Sequence, residues 1–238
     1  MNILSIDFDY FQNVSKQQLQ AYPDGIDLNT ELSETVWGSR YANDKNNLFN
    51  VGINTQELDM LKELLLKQSR QANIMITNSH SKIYDFVHTL VTDRDVLSLV
   101  NIDMHHDFFN NNPSLDCGNW VGFLMNERQS TGKGMNFKWI ANPVGLDAYG
   151  FKKSETQNII ETSLSCICGK SFDAIFLCRS DTWTPPHLDK YFTELCDVML
   201  HHFDSVCIER DINKPRCKYL EVITSLNRIK QDMLMRNA

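Results

Sequence analysis

The chain has 238 residues, of which 42% are hydrophobic and 22% charged, and its formal net charge is −7. That length suits one α/β domain, and we predict a single domain over residues 1–238. The negative charge argues against a nucleic-acid partner, which requires clustered basic residues, and no apolar run is long enough to cross a membrane. Asp7 and Asp9 interrupt the only candidate for a signal peptide, and the seven cysteines form no Cys-x-x-Cys pair. We therefore expect a cytoplasmic protein with reduced thiols.

Apolar stretches typical of strands alternate with amphipathic stretches of helical period. The predicted strands are residues 2–7, 72–77, 95–103, 137–141, 173–178 and 205–209. The predicted helices are residues 55–70, 82–91, 154–164, 187–202 and 215–235. Because strands that alternate with helices form parallel sheets covered on both faces, we predict an α/β fold with three α-β-α layers and a mainly parallel sheet. Two polar regions, 22–54 and 108–136, are predicted to be long loops that build a pocket at the carboxyl ends of the strands.

The strongest chemical signal is the segment Asp103-Met104-His105-His106-Asp107, which follows an apolar strand. Side chains at alternate positions of a strand leave the same face, so Asp103, His105 and Asp107 are expected to converge. Buried carboxylates need a charge partner. The segment therefore predicts a divalent-metal site.

Two further strand ends carry similar residues. Asp7 and Asp9 share a face by the same argument, and His80 follows the strand that ends near Thr77. Taken singly, an Asp-x-Asp pair also fits a solvated strand end or an aspartate-based phosphatase, and a lone histidine fits a helix cap. Their conjunction at one sheet edge favours a metal centre with six predicted ligands: Asp7, Asp9, His80, Asp103, His105 and Asp107. Four carboxylates balance two divalent ions, and oxygen-rich, sulfur-free coordination favours two Mn²⁺ per chain.

These motifs resemble the signatures of the ureohydrolase superfamily of arginases and agmatinases. Ser5-Ile6-Asp7-Phe8-Asp9 matches its Ser-x-Asp-x-Asp motif in full, Asp103-Met104-His105-His106-Asp107 is similar to Asp-Ala-His-x-Asp, and Thr77-Asn78-Ser79-His80-Ser81 keeps the His-Ser of the third signature. The order differs from that of conventional arginases, because Ser-x-Asp-x-Asp opens the chain. The resemblance thus implies an arginase/deacetylase-like sheet with circularly permuted motif order. That layout is similar to a family that includes the peptide arginases, which convert arginine in ribosomally made precursor peptides to ornithine.

The resemblance implies a dinuclear manganese hydrolase that acts on linear amidines. Its substrate would be arginine within a precursor peptide, converted to ornithine and urea. Asp107 would orient the attacking water. The resemblance also divides the ligands, with one ion held by His80, Asp103, Asp107 and Asp7, the other by His105, Asp103, Asp7 and Asp9, and Asp7 and Asp103 as the bridges.

Two roles of the family are not fixed by a motif. Arginases carry a proton-shuttling histidine shortly after a Gly-Asn pair, but here Gly118-Asn119 precedes Trp120, so His106 is predicted to be the shuttle. Asp181, which follows an apolar strand, is predicted to bind the guanidinium group, and the same residue also fits a turn before a proline-started helix. Glu31 and Glu34 are the reserve candidates for that role.

Two other functions fit the same residues. One is a zinc-dependent amidohydrolase or deacetylase that uses a single ion on Asp103, His105 and Asp7. The other is a catalytically inactive module that binds arginine peptides. The choice of peptidyl over free arginine follows from the resemblance, and the sequence predicts no oligomeric state.

Overall fold

The computed structural model describes residues 1–23, 27–43, 46–91, 96–109, 112–149 and 159–236. The strands among them are β1 (Asn2–Asp7), β2 (Gln12–Asn13), β3 (Gly52–Ile53), β4 (Asn73–Thr77), β5 (Leu97–Asp103), β6 (Met135–Ala141), β7 (Ile160–Glu161), β8 (Ala174–Cys178) and β9 (Val206–Ile208). The helices are α1 (Lys16–Leu19), α2 (Thr30–Ala42), α3 (Thr55–Leu65), α4 (Ile83–Leu90), α5 (Trp120–Ser130), α6 (Pro143–Tyr149), α7 (Asp189–His202) and α8 (Lys218–Arg236). None of these helices is both long enough and apolar enough to cross a bilayer.

Seven strands form one sheet in the order β7-β6-β5-β1-β8-β4-β9, while β2 and β3 pair separately. Every pairing within the large sheet is parallel. β1 lies between β5 and β8, in a register that sets Ser5 opposite Asn101 and Ile6 opposite Ile102. The predicted α/β fold with a parallel sheet is confirmed. The register also brings the two aspartate-bearing strand ends, at Asp7 and Asp103, side by side.

Both faces of the sheet are covered by helices, because successive strand residues alternate between two hydrophobic cores. Leu4 and Ile6 belong to a core that includes Leu61 of α3 and Phe192 of α7. Ile3 belongs to the opposite core, which is completed by residues of α4 and α5. The helices, the sheet and the helices on its other face give three layers.

The two regions predicted to be long loops each contain a helix. α2 lies within 22–54 and α5 within 108–136. The helical signal of α2 is weak because its buried face includes Ser33, Glu34 and Gly38, so apolar residues do not recur at helical spacing. Gly38 is required by packing, since a Cβ there would lie 2.6 Å from Cβ of Val222 on α8. The prediction of uninterrupted loops was wrong for this reason.

The predicted helix at 154–164 is also wrong where it can be assessed. Ile160–Glu161 forms edge strand β7, and a 3-10 turn at Leu164–Ile167 follows it. Residues 154–158 lie outside the described part of the chain, as does Asp95 at the start of the predicted strand 95–103. The other predicted helices and strands are present with shifted ends.

Candidate metal centre

The six predicted ligands meet at the carboxyl edge of the sheet, and none is more than 8% exposed. Asp7 and Asp103 end the neighbouring strands β1 and β5. Asp9 lies in the 3-10 turn after β1, and His80 begins the turn after β4. The remaining two follow β5 in a loop. We call this set the histidine–aspartate cluster: Asp7, Asp9, His80, Asp103, His105 and Asp107.

His105 and Asp107 reach the cluster from the loop after β5, and not by the strand alternation predicted for them. β5 ends at Asp103, so His105 and Asp107 are not strand residues. Asp107 has a φ of 55°, in the left-handed region that aspartate tolerates better than most residues. The backbone turns at Asp107, and the Asp107 carboxylate lies within the cluster.

His80 faces three carboxylates at once. Its Nδ1 atom is 3.2 Å from Oδ2 of Asp7, 3.1 Å from Oδ2 of Asp103 and 3.2 Å from Oδ2 of Asp107. Three oxygens and one ring nitrogen therefore converge on one small volume. Asp7, His80 and Asp103 form a group that could hold a metal ion.

His105 forms a second group beside the first. Its Nδ1 atom is 3.1 Å from Oδ2 of Asp9 and 3.7 Å from Oδ1 of Asp103. These three residues could also hold a metal ion. Asp103 is thus shared, with Oδ2 directed to His80 and Oδ1 to His105.

Surrounding groups fix the orientation of these side chains. Oγ of Ser5 is 2.7 Å from Nε2 of His80, so a proton on Nε2 donated to Ser5 leaves the Nδ1 lone pair directed at the carboxylates. The Asn101 amide donates to Oδ2 of Asp103 at 3.0 Å, and the Trp120 indole donates to Oδ2 of Asp107 at 2.6 Å. Such outer hydrogen bonds are typical of metal ligands.

Three buried polar atoms of the cluster have no hydrogen-bond partner among the described residues. They are Oδ2 of Asp9, Nδ1 of His80 and Nε2 of His105. Buried polar atoms are nearly always paired, so unpaired atoms in one place require an explanation. A bound cation would satisfy Asp9 and His80 directly. The residues present therefore fit a metal ion.

The electrostatics of the cluster also favour a cation. Burial raises the pKa of Asp9, and the charges of Asp7 and Asp103 raise it further. Burial, followed by the charge of Asp103, raises the pKa of Asp107 to about 8. Burial opposes protonation of His80 and His105, yet the adjoining carboxylates outweigh it and raise both pKa values. Without a metal, the site can only relieve its negative charge by holding protons.

A pocket of about 170 Å³ opens above the cluster. Its described lining consists of Asp7, Asp27, His105, Asp107, Phe109, Asp116, Cys117, Gly118, Tyr149 and Trp183. The rings of Tyr149 and Trp183 pack on His105, with centroid distances of 4.7 Å and 4.9 Å. The wall is therefore aromatic and the floor acidic, and none of these lining residues is a lysine or an arginine.

Asp27 and Asp116 are pocket residues that sequence reasoning missed. Oδ2 of Asp27 accepts hydrogen bonds from Ser79 and Ser81, beside His80, and burial raises the pKa of Asp27. The Asn112 amide and the Gly118 N–H donate hydrogen bonds to the carboxylate of Asp116. Both aspartates lie in the polar regions, where acidic residues are common and no motif distinguishes one from another.

His106, the predicted proton shuttle, is not among the residues that line the pocket. Its ring packs on Phe109 at 4.2 Å and on Trp139 at 5.9 Å, and its Nδ1 accepts a hydrogen bond from the N–H of Phe108. Burial lowers the pKa of His106 to about 4. A histidine that is neutral at physiological pH and does not line the pocket is poorly suited to deliver a proton there.

Asp181, the predicted guanidinium ligand, is not among the described residues that line the pocket, and its carboxylate already binds guanidinium groups of the protein. Arg179 donates to its two oxygens at 2.5 Å and 3.1 Å, and Nη1 of Arg216 lies 3.8 Å from Oδ1. The reserve candidates are engaged elsewhere: Glu31 pairs with the Lys218 side chain, and Glu34 accepts from the Lys218 N–H. The structure brings none of these three carboxylates to the cluster.

The cluster thus contains two adjoining groups that could hold a metal ion, beneath a pocket with an acidic floor and an aromatic wall. Comparison of the chain with protein-family models, with curated proteins and with solved structures found no match. The functional argument therefore depends on the geometry and charge of these residues.

Proposed function

We propose that the protein is a dinuclear manganese hydrolase that cleaves the guanidinium group of arginine residues in a peptide, giving ornithine and urea. The observation that carries this proposal is the shared carboxylate of Asp103, which directs one oxygen to each histidine of the cluster. A carboxylate placed between two histidine–carboxylate groups suits a bridge between two metal ions. Together with the permuted order of the ureohydrolase-like motifs, this supports an arginase-like site.

The donor set supports manganese. Each ion would be held by one imidazole and several carboxylate oxygens, the hard-to-borderline coordination that suits Mn²⁺ better than a sulfur-rich site would. The four aspartates of the cluster carry four negative charges, which two divalent ions balance. When bound, such ions polarise the substrate and make water nucleophilic at neutral pH.

The pocket supports a cationic substrate of the guanidinium type. A planar cation can stack on the rings of Tyr149 and Trp183 while its N–H groups donate to a carboxylate. Asp27 is the residue proposed for that contact, because Oδ2 is fixed by Ser79 and Ser81 and no hydrogen bond within the described residues engages Oδ1. Asp27 thus takes the role that the sequence had suggested for Asp181.

The same lining favours peptidyl over free arginine. Free arginine carries an α-carboxylate, which would need a cationic or amide partner near the pocket. Beyond the metal-binding cluster, the described lining offers Asp27 and Asp116 and no lysine or arginine, so that carboxylate would meet negative charge and no cationic partner. In a peptide the α-carboxyl group is an uncharged amide, and this repulsion is absent.

Asp107 is proposed to orient the attacking water. Its Oδ2 is held by the Trp120 indole beside His80, which leaves Oδ1 to accept a hydrogen bond from water in the pocket.

The proposal is tested by incubating the Mn²⁺-loaded protein with an arginine-containing peptide and measuring both urea and peptide mass. We expect urea release together with the mass decrease that converts arginine to ornithine. Cleavage of free arginine but not of the peptide would overturn the peptidyl substrate. One tightly held Zn²⁺ per chain and release of acetate from an acetylated substrate would instead establish the amidohydrolase alternative.

The role of Asp27 is tested with Asp27→Asn, which removes the charge and keeps the shape. Loss of a charge-assisted hydrogen bond costs about 1.5–3 kcal/mol, so we expect roughly 10–100-fold weaker peptide binding, with Mn²⁺ content unchanged. Asp116→Asn is the matched control, because its carboxylate is already engaged by Asn112 and Gly118. Equal effects of the two substitutions would contradict a specific contact to Asp27.

A further inference from the structure

The segment that carries His80 has little regular structure to hold it. β4 ends at Thr77, and the turn that begins at His80 has only three residues before α4. The Ser5 contact fixes the ring of His80 but not the path of its backbone. Backbone N–H groups after β8 hold the carbonyls of Thr77 and Asn78, and Asp27 accepts from the serines on either side of His80. The Lys82 end of the segment is held by other groups.

Glu209 joins the two ends of this segment. Its Oε2 accepts from the Thr77 hydroxyl at 2.7 Å and from the Asn78 N–H at 3.0 Å, while Oε1 accepts from Nζ of Lys82 at 2.8 Å. Nζ of Lys82 also donates to Oδ1 of Asn78 at 3.0 Å, which closes the loop between positions 78 and 82. One side chain thus contacts both flanks of His80.

The backbone of Glu209 is anchored to the sheet. The residue directly follows β9, and its N–H donates to the carbonyl of Ile76 on β4 at 2.9 Å. Its side chain is 33% exposed, so bulk water competes only partly for these bonds. Burial opposes ionisation, but the bonds from Lys82 and Thr77 outweigh it and lower the pKa of Glu209.

We propose that Glu209 is a positioning residue for His80, which holds the segment from Thr77 to Lys82 so that Nδ1 of His80 faces the carboxylates of the cluster. Glu209 contacts neither the pocket nor the cluster, and it acts through the backbone and through Lys82. The inference requires that the cluster bind metal, as proposed above, but it is independent of the substrate.

The test is titration with Mn²⁺ of Glu209→Ala and Glu209→Gln, with metal affinity as the readout. Loss of groups that orient metal ligands typically weakens binding about 10–100-fold. We expect Glu209→Ala to weaken the binding of the ion held by His80 by that factor. The affinity for the ion held by His105 should stay unchanged. Glu209→Gln keeps an acceptor for Thr77 and Asn78 and loses only the charge opposite Lys82, so it should have a smaller effect of the same kind.

Glu161→Ala provides the matched control. Glu161 pairs with Lys138 at 3.0 Å, with both side chains 39% exposed, at the opposite edge of the sheet, whereas Glu209 and Lys82 are 2.8 Å apart and 33% and 40% exposed. Unaltered affinity for both ions in both Glu209 variants, with a loss of stability equal to that of Glu161→Ala, would overturn the inference. A wild-type protein that binds two Mn²⁺ but releases no urea from arginine peptides would overturn the proposed function and leave the Glu209 experiment fully interpretable.

Discussion

This protein has two groups of buried charged side chains, and they differ in how their charge is balanced. The histidine–aspartate cluster contains four carboxylates, two imidazoles and three unpaired polar atoms. The second group, which we call the arginine cluster, consists of Arg179, Asp181, Asp189 and Arg216, none more than 4% exposed. Its guanidinium groups meet its carboxylates directly, as in the 2.7 Å and 2.9 Å bonds from Arg216 to Asp189.

The difference is that one cluster balances its own charge and the other does not. In the arginine cluster the remaining N–H groups donate to backbone carbonyls, such as those of Ile212 and Thr184, so nothing external is required. In the histidine–aspartate cluster, within the described residues, no lysine or arginine forms an ion pair with any member. Buried carboxylates in that state favour an added cation or added protons. Burial of charge alone would not have distinguished the two clusters.

The largest effect on the histidine–aspartate cluster is expected from Asp103→Ala. Because Asp103 faces both histidines, its removal should release both ions. Lewis-acid stabilisation is worth several kcal/mol, so urea release should fall on the order of 10³-fold or more. Metal analysis and a urea assay measure the two effects. Retention of two Mn²⁺ by this variant would contradict the shared position of Asp103.

Asp181→Asn, in the arginine cluster, should lower the unfolding free energy and leave metal binding unchanged. It leaves Arg179 and Arg216 without one of their buried counter-charges, which costs about 3–5 kcal/mol of unfolding free energy. Denaturant unfolding measures that loss, and Mn²⁺ content per folded chain should stay as in the wild type. A variant with normal stability and impaired peptide binding would restore Asp181 as a substrate ligand.

Asp181 also shows what the sequence could and could not reveal. Strand ends were enough to bring Asp7 and Asp103 together, because parallel strands must end at one edge. Asp9 reaches the cluster from a 3-10 turn, which period-two spacing does not describe. The same reasoning made Asp181 look available, because strand-end position does not show that the nearby Arg179 binds both of its oxygens. Its second partner, Arg216, is 35 residues away in sequence and leaves no local pattern. Asp27 was not predictable for the complementary reason: its place in the pocket depends on tertiary contacts to Ser79 and Ser81.

Ser5→Ala should weaken metal binding at the histidine–aspartate cluster by less than Asp103→Ala does. It removes the partner of His80 Nε2, so the imidazole can adopt the other tautomer and rotate. We expect Mn²⁺ affinity to fall about 10–100-fold. Ser33→Ala is the matched control, because Ser33 is equally buried but accepts a 3.4 Å bond from Arg216 in the arginine cluster. Equal Mn²⁺ affinity of the two variants would show that Ser5 does not orient His80.

The two clusters should also differ in how their stability depends on pH. The pKa of Asp107 is raised to about 8 in the folded protein, and that of Asp9 is also raised, whereas unfolded aspartate titrates near pH 3.9. Metal-free folding therefore takes up protons at these groups, and stability falls as pH rises from about 4 to about 8. His80 and His105 act in the same direction. Their raised pKa values give stability that is full below about pH 6.5 and is lost as pH rises through the folded values.

Bound Mn²⁺ should reverse this trend, because metal ions require deprotonated ligands and bind more tightly as pH rises. The gap in unfolding free energy between the Mn²⁺-loaded and metal-free protein should thus widen from about pH 5 to about pH 8, by about 1.4 kcal/mol per pH unit for each proton displaced. Asp181, whose pKa is lowered chiefly by Arg216 against the effect of burial, gives stability that is lost only below about pH 4. Asp181→Asn should therefore leave the slope of the gap unchanged, and Asp107→Asn should reduce it. A gap that stays constant with pH would mean that the buried carboxylates and imidazoles are not the groups that exchange protons for metal.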